Sequence, residues 1–143
     1  MAEYTFNSVQ LVEAGQNVLL QDSIPCNRGY VIHRNGSGIL TLRGIVNNPC
    51  AKFARYKVEF NGNIAIPDSG AAGEISLALA IDGEAIQTSR ARVTPTALGA
   101  YFNVTSVANI TVPAGCCLTI SVENTSGVPI NVQNSNLTVD RTA

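Results

Sequence analysis

Charged side chains are scarce in this sequence, where they make up 13% of 143 residues, about half of the share usual for a soluble domain. Nine basic and ten acidic residues leave a net charge of −1, so the chain lacks the electrostatic footprint that nucleic acid or an anionic membrane needs. A surface with so few charges is covered by Asn, Ser, Thr and Gly, or is partly shielded by a partner. We expect neither nucleic acid nor membrane among the partners.

Long apolar runs are also missing. No segment approaches the roughly 18 uninterrupted apolar residues of a membrane span. The opening MAEYTFNSVQ has neither the basic region nor the apolar region of a signal peptide. We expect synthesis in a bacterial cytoplasm without a secretion signal.

The motifs of common catalytic and metal sites are absent as well. The sequence has no GxSxG, no HExxH and no CxxC. His33 is the one histidine and has no recognisable partner motif, so we expect it to be structural or exposed. GYVIHRNGSG is rich in glycine, yet no helix follows it, which favours a hairpin over a phosphate cradle. The acidic residues are scattered and form no evident pair. We expect no enzyme activity, no cofactor and no metal.

The four cysteines leave two interpretations open. Without a secretion signal, Cys26, Cys50, Cys116 and Cys117 fit buried thiols. The alternative is a disulfide between Cys26 and Cys50. Cys116 and Cys117 are adjacent and would face opposite sides of a strand, so they could not easily bind one metal ion together.

Strand signals dominate what is present, and no window shows the 3.6-residue apolar period of a helix. About ten short strands with turn signals every 8–14 residues are typical of a sandwich or barrel. Each sheet must bury one face, which favours two sheets packed together. We expect one domain over residues 1–143, with residues 1–4 as a flexible arm. The strand-like segments are 4–12, 17–21, 30–34, 39–46, 53–67, 75–89, 100–112, 116–124 and 130–141.

The tightest turn signal lies in LALAIDGEAIQ, residues 77–87. Apolar runs enter and leave the pair Asp82-Gly83, which fits a type I′ hairpin turn because Gly tolerates positive φ freely. We therefore interpret Asp82 as a turn former and not as a general acid.

Three segments resemble one known family. LALAIDGEAI, ITVPAGCCLTISVEN (110–124) and NSNLTVDR (134–141) are similar, in this order, to the hairpin, the Pro-Ala-Gly turn with its strand, and the last strand of the tumour-necrosis-factor/C1q-like jelly roll. The resemblance covers roughly residues 5–141. Cys116 departs from it, since bacterial relatives often carry Asp after Pro-Ala-Gly. The chain also resembles small structural proteins of phages and prophages of gut Firmicutes.

This resemblance implies an all-β, ten-stranded jelly-roll sandwich without significant helix that forms a homotrimer. The members are usually non-enzymatic ligands, adhesins, collagen-tip domains, spore-surface knobs and phage fibre heads. Our leading hypothesis is a structural or adhesion protein of a phage virion: a capsid decoration, a fibre head or a host-attachment module. Its partners would be other virion proteins or a host-surface receptor or glycan. The alternatives are a bacterial surface or spore-coat knob, and a carbohydrate-binding, lectin-like jelly roll.

Aromatic residues are the candidates for a subunit interface. Tyr101 and Phe102 are adjacent, so in a strand at least one of them points away from its own core. Either another part of the chain covers it or it contacts a second subunit. Weaker candidates, because a sandwich core also needs aromatic residues, are Tyr30, Phe53, Tyr56 and Phe60.

Two remaining patterns have plain interpretations. Arg90 and Arg92 would share one face of a strand, either as a solvated face or as a site for an acidic partner. Five Asn-x-Ser/Thr sequons arise by chance in a chain rich in Asn and Thr, and we expect no glycosylation. They begin at Asn35, Asn103, Asn109, Asn124 and Asn136.

Overall fold

The computed structural model describes residues 2–24, 30–34, 36–44, 50, 52–115 and 117–142. Within these residues the chain is all-β, and its one helical element is the 3-10 turn Gln87–Ser89. No helix there is long and apolar enough to cross a membrane. The strands are β1 (Ala2–Phe6), β2 (Gln10–Val12), β3 (Asp22–Ile24), β4 (Val31–His33), β5 (Leu40–Arg43), β6 (Phe53–Ala65), β7 (Ile75–Ile81), β8 (Glu84–Ala85), β9 (Ala91–Val93), β10 (Phe102–Pro113), β11 (Cys117–Asn124) and β12 (Ile130–Arg141).

The strands form two antiparallel sheets. Sheet I has the order β10-β6-β12-β1-β3, and β2 also pairs with β12. Sheet II has the order β4-β5-β11-β7-β8, and β9 also pairs with β7. β1 and β2 are thus one strand interrupted at residues 7–9, and β8 and β9 are one strand interrupted by the 3-10 turn. Counted this way, the described residues give the ten strand positions of the predicted jelly roll, and the fold prediction is confirmed.

The core lies between the sheets and follows strand alternation. In β6, Tyr56, Val58 and Phe60 are fully buried, whereas Arg55 and Lys57 are exposed. This is the alternation of a strand that buries one face and exposes the other. It also shows that Tyr56 and Phe60 are wrong as interface candidates, because the core of their own subunit encloses them. The Tyr56 hydroxyl donates to the Arg43 carbonyl at 2.5 Å, which satisfies its polar end.

The Asp82-Gly83 turn is confirmed. The two residues have φ of 51° and 85°, the positive values that a type I′ turn requires. The Asp82 carboxylate also accepts hydrogen bonds from the backbone N–H and the hydroxyl of Thr119 at 2.9 and 2.8 Å. These bonds lower the pKa of Asp82 below its usual 3.8. The hairpin is therefore attached to β11.

Residues 2–4, as far as the expected flexible arm is described, lie in a strand, so the arm prediction is wrong for them. Ala2 to Phe6 form β1, which pairs with β12 on one side and β3 on the other. Ala2 and Tyr4 are buried in the core. The apolar residues alternating from position 2 hold this segment in sheet I.

Candidate binding surface

The outer face of sheet I carries mainly uncharged polar side chains. Alternation points the core residues of β6, β10 and β12 inward and every second residue toward solvent. The register places Asn103 opposite Asn63, Thr105 opposite Asn61, and Asn61 opposite Asn136. The sheet therefore presents successive rows of carboxamide and hydroxyl groups across its strands.

Four of these carboxamides form a hydrogen-bonded chain, which we call the carboxamide row: Asn103, Asn63, Asn134 and Asn7. The Asn103 side-chain amide donates to the carbonyl oxygen of Asn63 at 3.1 Å. That of Asn63 donates to Asn134 at 3.3 Å, and that of Asn134 donates to Asn7. The row crosses from β10 through β6 and β12 to the residue after β1. The row spans three distances between neighbouring strands and is therefore about 14 Å long.

A β-bulge in β12 sets the centre of the row. The register between β12 and β6 shifts between Gln133 and Asn136, so that Asn134 and Ser135 oppose the single residue Gly62. Asn134 takes the left-handed conformation, with φ of 55°, which Asn accepts better than most residues. Gly62 is required here because a Cβ would lie 2.9 Å from the Phe60 ring. The bulge aims the Asn134 side chain into the row.

Two shallow depressions lie beside the row. One measures about 180 Å³ and is lined by Thr5, Asn7, Asn134, Ser135 and Asn136. Ser135 itself occupies an inward-facing position of β12, where its hydroxyl is buried without a hydrogen-bond partner. The other measures about 270 Å³, and its lining consists of Glu59, Phe60, Asn61, Thr105, Asn136 and Thr138. The two depressions share Asn136 and form one shallow surface.

The charges around this surface are acidic. Glu3 accepts from the Asn136 amide at 3.2 Å. Glu59 lies on the other side and pairs with Lys57 at 3.0 Å, an exposed ion pair of small energetic value. Asp22 lies opposite Thr5 on β3. The carboxamide row itself contains no ionisable group.

The amino-terminal end of β10 carries exposed apolar side chains, which we call the aromatic end: Leu98, Tyr101 and Phe102. Their exposed fractions are 43%, 39% and 40%. The two leading interface candidates therefore both reach the surface, although their contact with a second subunit stays a prediction.

The remaining interface candidates lie elsewhere. Phe53 is 46% exposed but pairs with Pro113 at the opposite end of β6 and β10. Eleven residues along an extended strand separate it from Phe102 by about 35 Å. Tyr30 is half-buried, with the Arg141 guanidinium 4.1 Å from its ring centroid. The structure does not gather the predicted aromatic residues into one site.

His33 has the contacts of a structural residue. Its Nε2 donates to the Ser37 carbonyl at 2.8 Å, and its Nδ1 lies 3.1 Å from the Ser23 hydroxyl. The ring packs on Tyr4 with centroids 4.7 Å apart. His33 thus joins β4 of sheet II to β3 of sheet I. β4 and β5 pair antiparallel, which confirms the predicted hairpin.

The cysteine prediction lies partly outside the described residues. Cys50 and Cys117 are exposed, so the expectation of buried thiols is wrong for these two. Cys26 and Cys116 are not described, so the Cys26–Cys50 disulfide stays a prediction. Across the described residues, no three His, Cys, Asp or Glu side chains group closely enough to hold a metal ion.

The two arginines do not form a pair on one strand. Arg90 follows the 3-10 turn, and its guanidinium donates to the Ser76 hydroxyl at 3.2 Å and the Thr125 carbonyl at 3.4 Å. Arg92 is exposed and lies 3.9 Å from Glu74. These contacts favour a structural role for Arg90 over a site for an acidic partner.

The sequons differ in their surroundings. Asn124 is fully buried, whereas Asn103 and Asn109 are exposed on β10. Asn103 and Asn136 belong to the polar surface of sheet I, and Asn35 lies outside the described residues. Sequence reasoning missed the carboxamide row, although Asn at alternate positions 61 and 63 was a usable signal.

Comparison with known proteins shows the fold. No family model matches the chain, and no curated protein matches it. The globular domain of the zebrafish complement 1qA protein superposes with a TM-score of 0.54 at 11% identity, covering 96% of this chain and 94% of that one. The chain has a C1q-like jelly-roll fold.

Two carbohydrate-binding modules are more distant matches. The CBM22-1 xylan-binding domain from Paenibacillus barcinonensis Xyn10C has a TM-score of 0.36 at 12% identity, with 99% of this chain and 87% of that one covered. CBM35 from Cellvibrio japonicus Abf62 has a TM-score of 0.33 at 12% identity, with 95% and 99% covered. Likenesses this weak do not bear on function.

Proposed function

We propose that the protein is a non-enzymatic binding module that works as a homotrimer in a phage virion, as a capsid decoration, a fibre head or a host-attachment module. The C1q-like fold and the resemblance to phage structural proteins support this role. Three rigidly joined subunits present three weak binding surfaces at once, which raises avidity well above a single contact.

The observation that carries the proposal is the aromatic end. About 40% of each large side chain of Leu98, Tyr101 and Phe102 stays in water. For one aromatic residue this is about 80 Å² of surface, and burying it in an interface contributes roughly 2 kcal/mol. Only 13% of the residues are charged, and burying this apolar surface in contacts with identical subunits stabilises the assembly.

Light scattering on the full chain tests the assembly. We expect a particle of about three times the 15.0 kDa subunit mass. The double variant Tyr101→Ser/Phe102→Ser shifts it to the monomer, because the contact loses its apolar anchors. Phe53→Ser is the matched control, since it removes an equally exposed aromatic residue from the opposite end of the sheet and leaves the trimer intact. A monomeric wild type at micromolar concentration contradicts the proposal.

The virion location is tested separately. Mass spectrometry of purified particles from a host that carries the gene would detect the protein at a stoichiometry divisible by three. Capsid and tail genes beside the gene support the same location. Sporulation genes, or a gene for a collagen-like stalk, would favour the bacterial surface knob instead.

A further inference from the structure

The carboxamide row has no role in the proposed trimer contact, yet its four side chains are joined by three successive hydrogen bonds. We propose that the row and the depression beside it bind a neutral carbohydrate. This inference rests on the proposed function as an attachment module and names its ligand class.

The hydrogen-bonding groups fit hydroxyl-rich ligands. A carboxamide both donates and accepts, as does a sugar hydroxyl. Within the row, Asn103, Asn63 and Asn134 each give one amide hydrogen to the next member. The second hydrogen of each amide remains for a ligand, as does the amide group of Asn7. A face of carboxamides can thus bond adjacent hydroxyls in either direction.

The row is also held in place before a ligand arrives. Each carboxamide is oriented by its neighbour, and the bulge positions Asn134 from the backbone. Groups that are already ordered lose less rotamer entropy on binding, so more of each hydrogen bond appears as affinity. An isolated exposed Asn has no such advantage.

The depression marks where the ligand sits. It is lined by Thr5, Asn7, Asn134 and Asn136, all short polar side chains. Ser135 lies between the two asparagines of β12 at an inward-facing position, so its buried hydroxyl takes no part in the site.

The flanking charges select against acidic sugars. Glu3, Asp22 and Glu59 border the surface, and Lys57 on the same strand as Glu59 is already paired with it. A sialylated or sulfated glycan would meet like charge here. The ligand is therefore a neutral glycan.

A glycan array with the labelled full chain tests the site, using neutral glycans ending in hexose, deoxyhexose or N-acetylhexosamine beside sialylated and sulfated ones. We expect binding to some neutral glycans and none to the acidic ones. Titration of the strongest neutral glycan then compares variants. Asn134→Gly keeps the left-handed backbone while removing the carboxamide. The double variant Asn134→Gly/Asn103→Ala should bind this glycan at least about tenfold more weakly than wild type.

Asn109→Ala is the matched control, because Asn109 is an exposed carboxamide on β10 outside the row. The affinity of this variant for the glycan should stay within about twofold of wild type, as expected for an ordinary surface substitution. No retained glycan, retention of acidic glycans alone, or unchanged binding by the row variant overturns the proposal.

Light scattering on the same samples separates the two proposals. A trimer that retains no glycan overturns the carbohydrate site and leaves the assembly standing. A monomer that binds neutral glycans overturns the trimer and leaves the carbohydrate site standing. If the row variants change the particle mass and not glycan retention, the face is a subunit contact, and the carbohydrate proposal is wrong.

Discussion

Asn134 shows how one residue shapes the surface. Its φ of 55° lies where most side chains collide with the backbone, and the same conformation aims its carboxamide at Asn63 and Asn7. A single residue therefore joins the bulge in β12 to the polar face of sheet I. The residue type is set by the backbone as much as by the hydrogen bonds.

Replacing Asn134 separates these two effects on stability. Asn134→Ala should lower the free energy of unfolding by about 1–2 kcal/mol, because Ala tolerates the left-handed conformation poorly. Asn134→Gly should lower the free energy of unfolding by less, since Gly accepts this conformation freely. Urea unfolding of both variants measures the difference. Equal stability of the Ala variant and wild type would show that residue 134 does not adopt positive φ.

Asp82 links stability to pH. Hydrogen bonds from Thr119 lower its pKa in the folded state, so the folded state binds this proton more weakly than the unfolded chain does. The stabilisation is present above the ordinary aspartate pKa of 3.8. It is lost as the pH falls below that value and through the folded pKa.

Asp82→Asn removes this titration while keeping a side chain that tolerates the turn. We expect the variant to melt at a lower temperature than wild type at pH 7, with the gap closing below about pH 4. Thr119→Val, which removes one of the two donors, should give an intermediate pH profile. A gap that widens on acidification would contradict the linkage.

At the scale of elements, alternation and turn chemistry predicted the long strands well. β6, the β7–β8 hairpin, β11 and β12 lie where the pattern put them. The expected strand at 4–12 is broken at residues 7–9, because the bulge opposite it changes the register. The expected strand at 17–21 is wrong: apart from an isolated bridge at Asn17, the segment is not strand. These misses come from pairing between distant segments, which local propensity does not contain.

The interruption between β8 and β9 depends on one hydroxyl. Ser89 is buried; its Oγ accepts from the Leu79 N–H at 3.0 Å and donates to the Ile86 carbonyl at 2.7 Å. Ser89→Ala should cost about 1–3 kcal/mol, because the buried Leu79 N–H loses its partner, whereas the Ile86 carbonyl keeps the Ser89 backbone N–H. Thr88→Ala, an exposed neighbour, should stay within about 0.5 kcal/mol. Thermal melts of the two variants provide the comparison, and similar melting temperatures would count against this role of Ser89.

At the scale of the whole molecule, Asn124 ties the two sheets together. It is fully buried at the end of β11 in sheet II, and its amide donates to the carbonyls of Val12 in sheet I and Val128 at 3.0 and 2.9 Å. Its side-chain oxygen accepts from the Ser126 backbone N–H at 2.9 Å. Ser126 and Val128 lie in the turn directly after β11, whereas Val12 is 112 residues away on β2. The bond to Val12 therefore exists only when the sandwich is assembled.

Asn124→Asp tests this tie with nearly the same volume. A carboxylate cannot donate to two carbonyls and is costly to bury, so we expect a loss of at least about 3 kcal/mol. Asn109→Asp makes the same change at an exposed site of β10 and should alter stability by no more than about 0.5 kcal/mol. Urea unfolding gives both values; an equally small effect at position 124 would mean that the tie contributes little.

The sequence by itself determined the all-β class, the hairpin turn and the buried face of each long strand, because alternation and turn residues act over only a few neighbours. The tertiary structure alone decided that the neighbours Tyr101 and Phe102 are both exposed. It also brought Asn7, Asn63, Asn103 and Asn134 together from four segments. Strand register controls such groupings, and register is set by contacts between residues far apart in the chain.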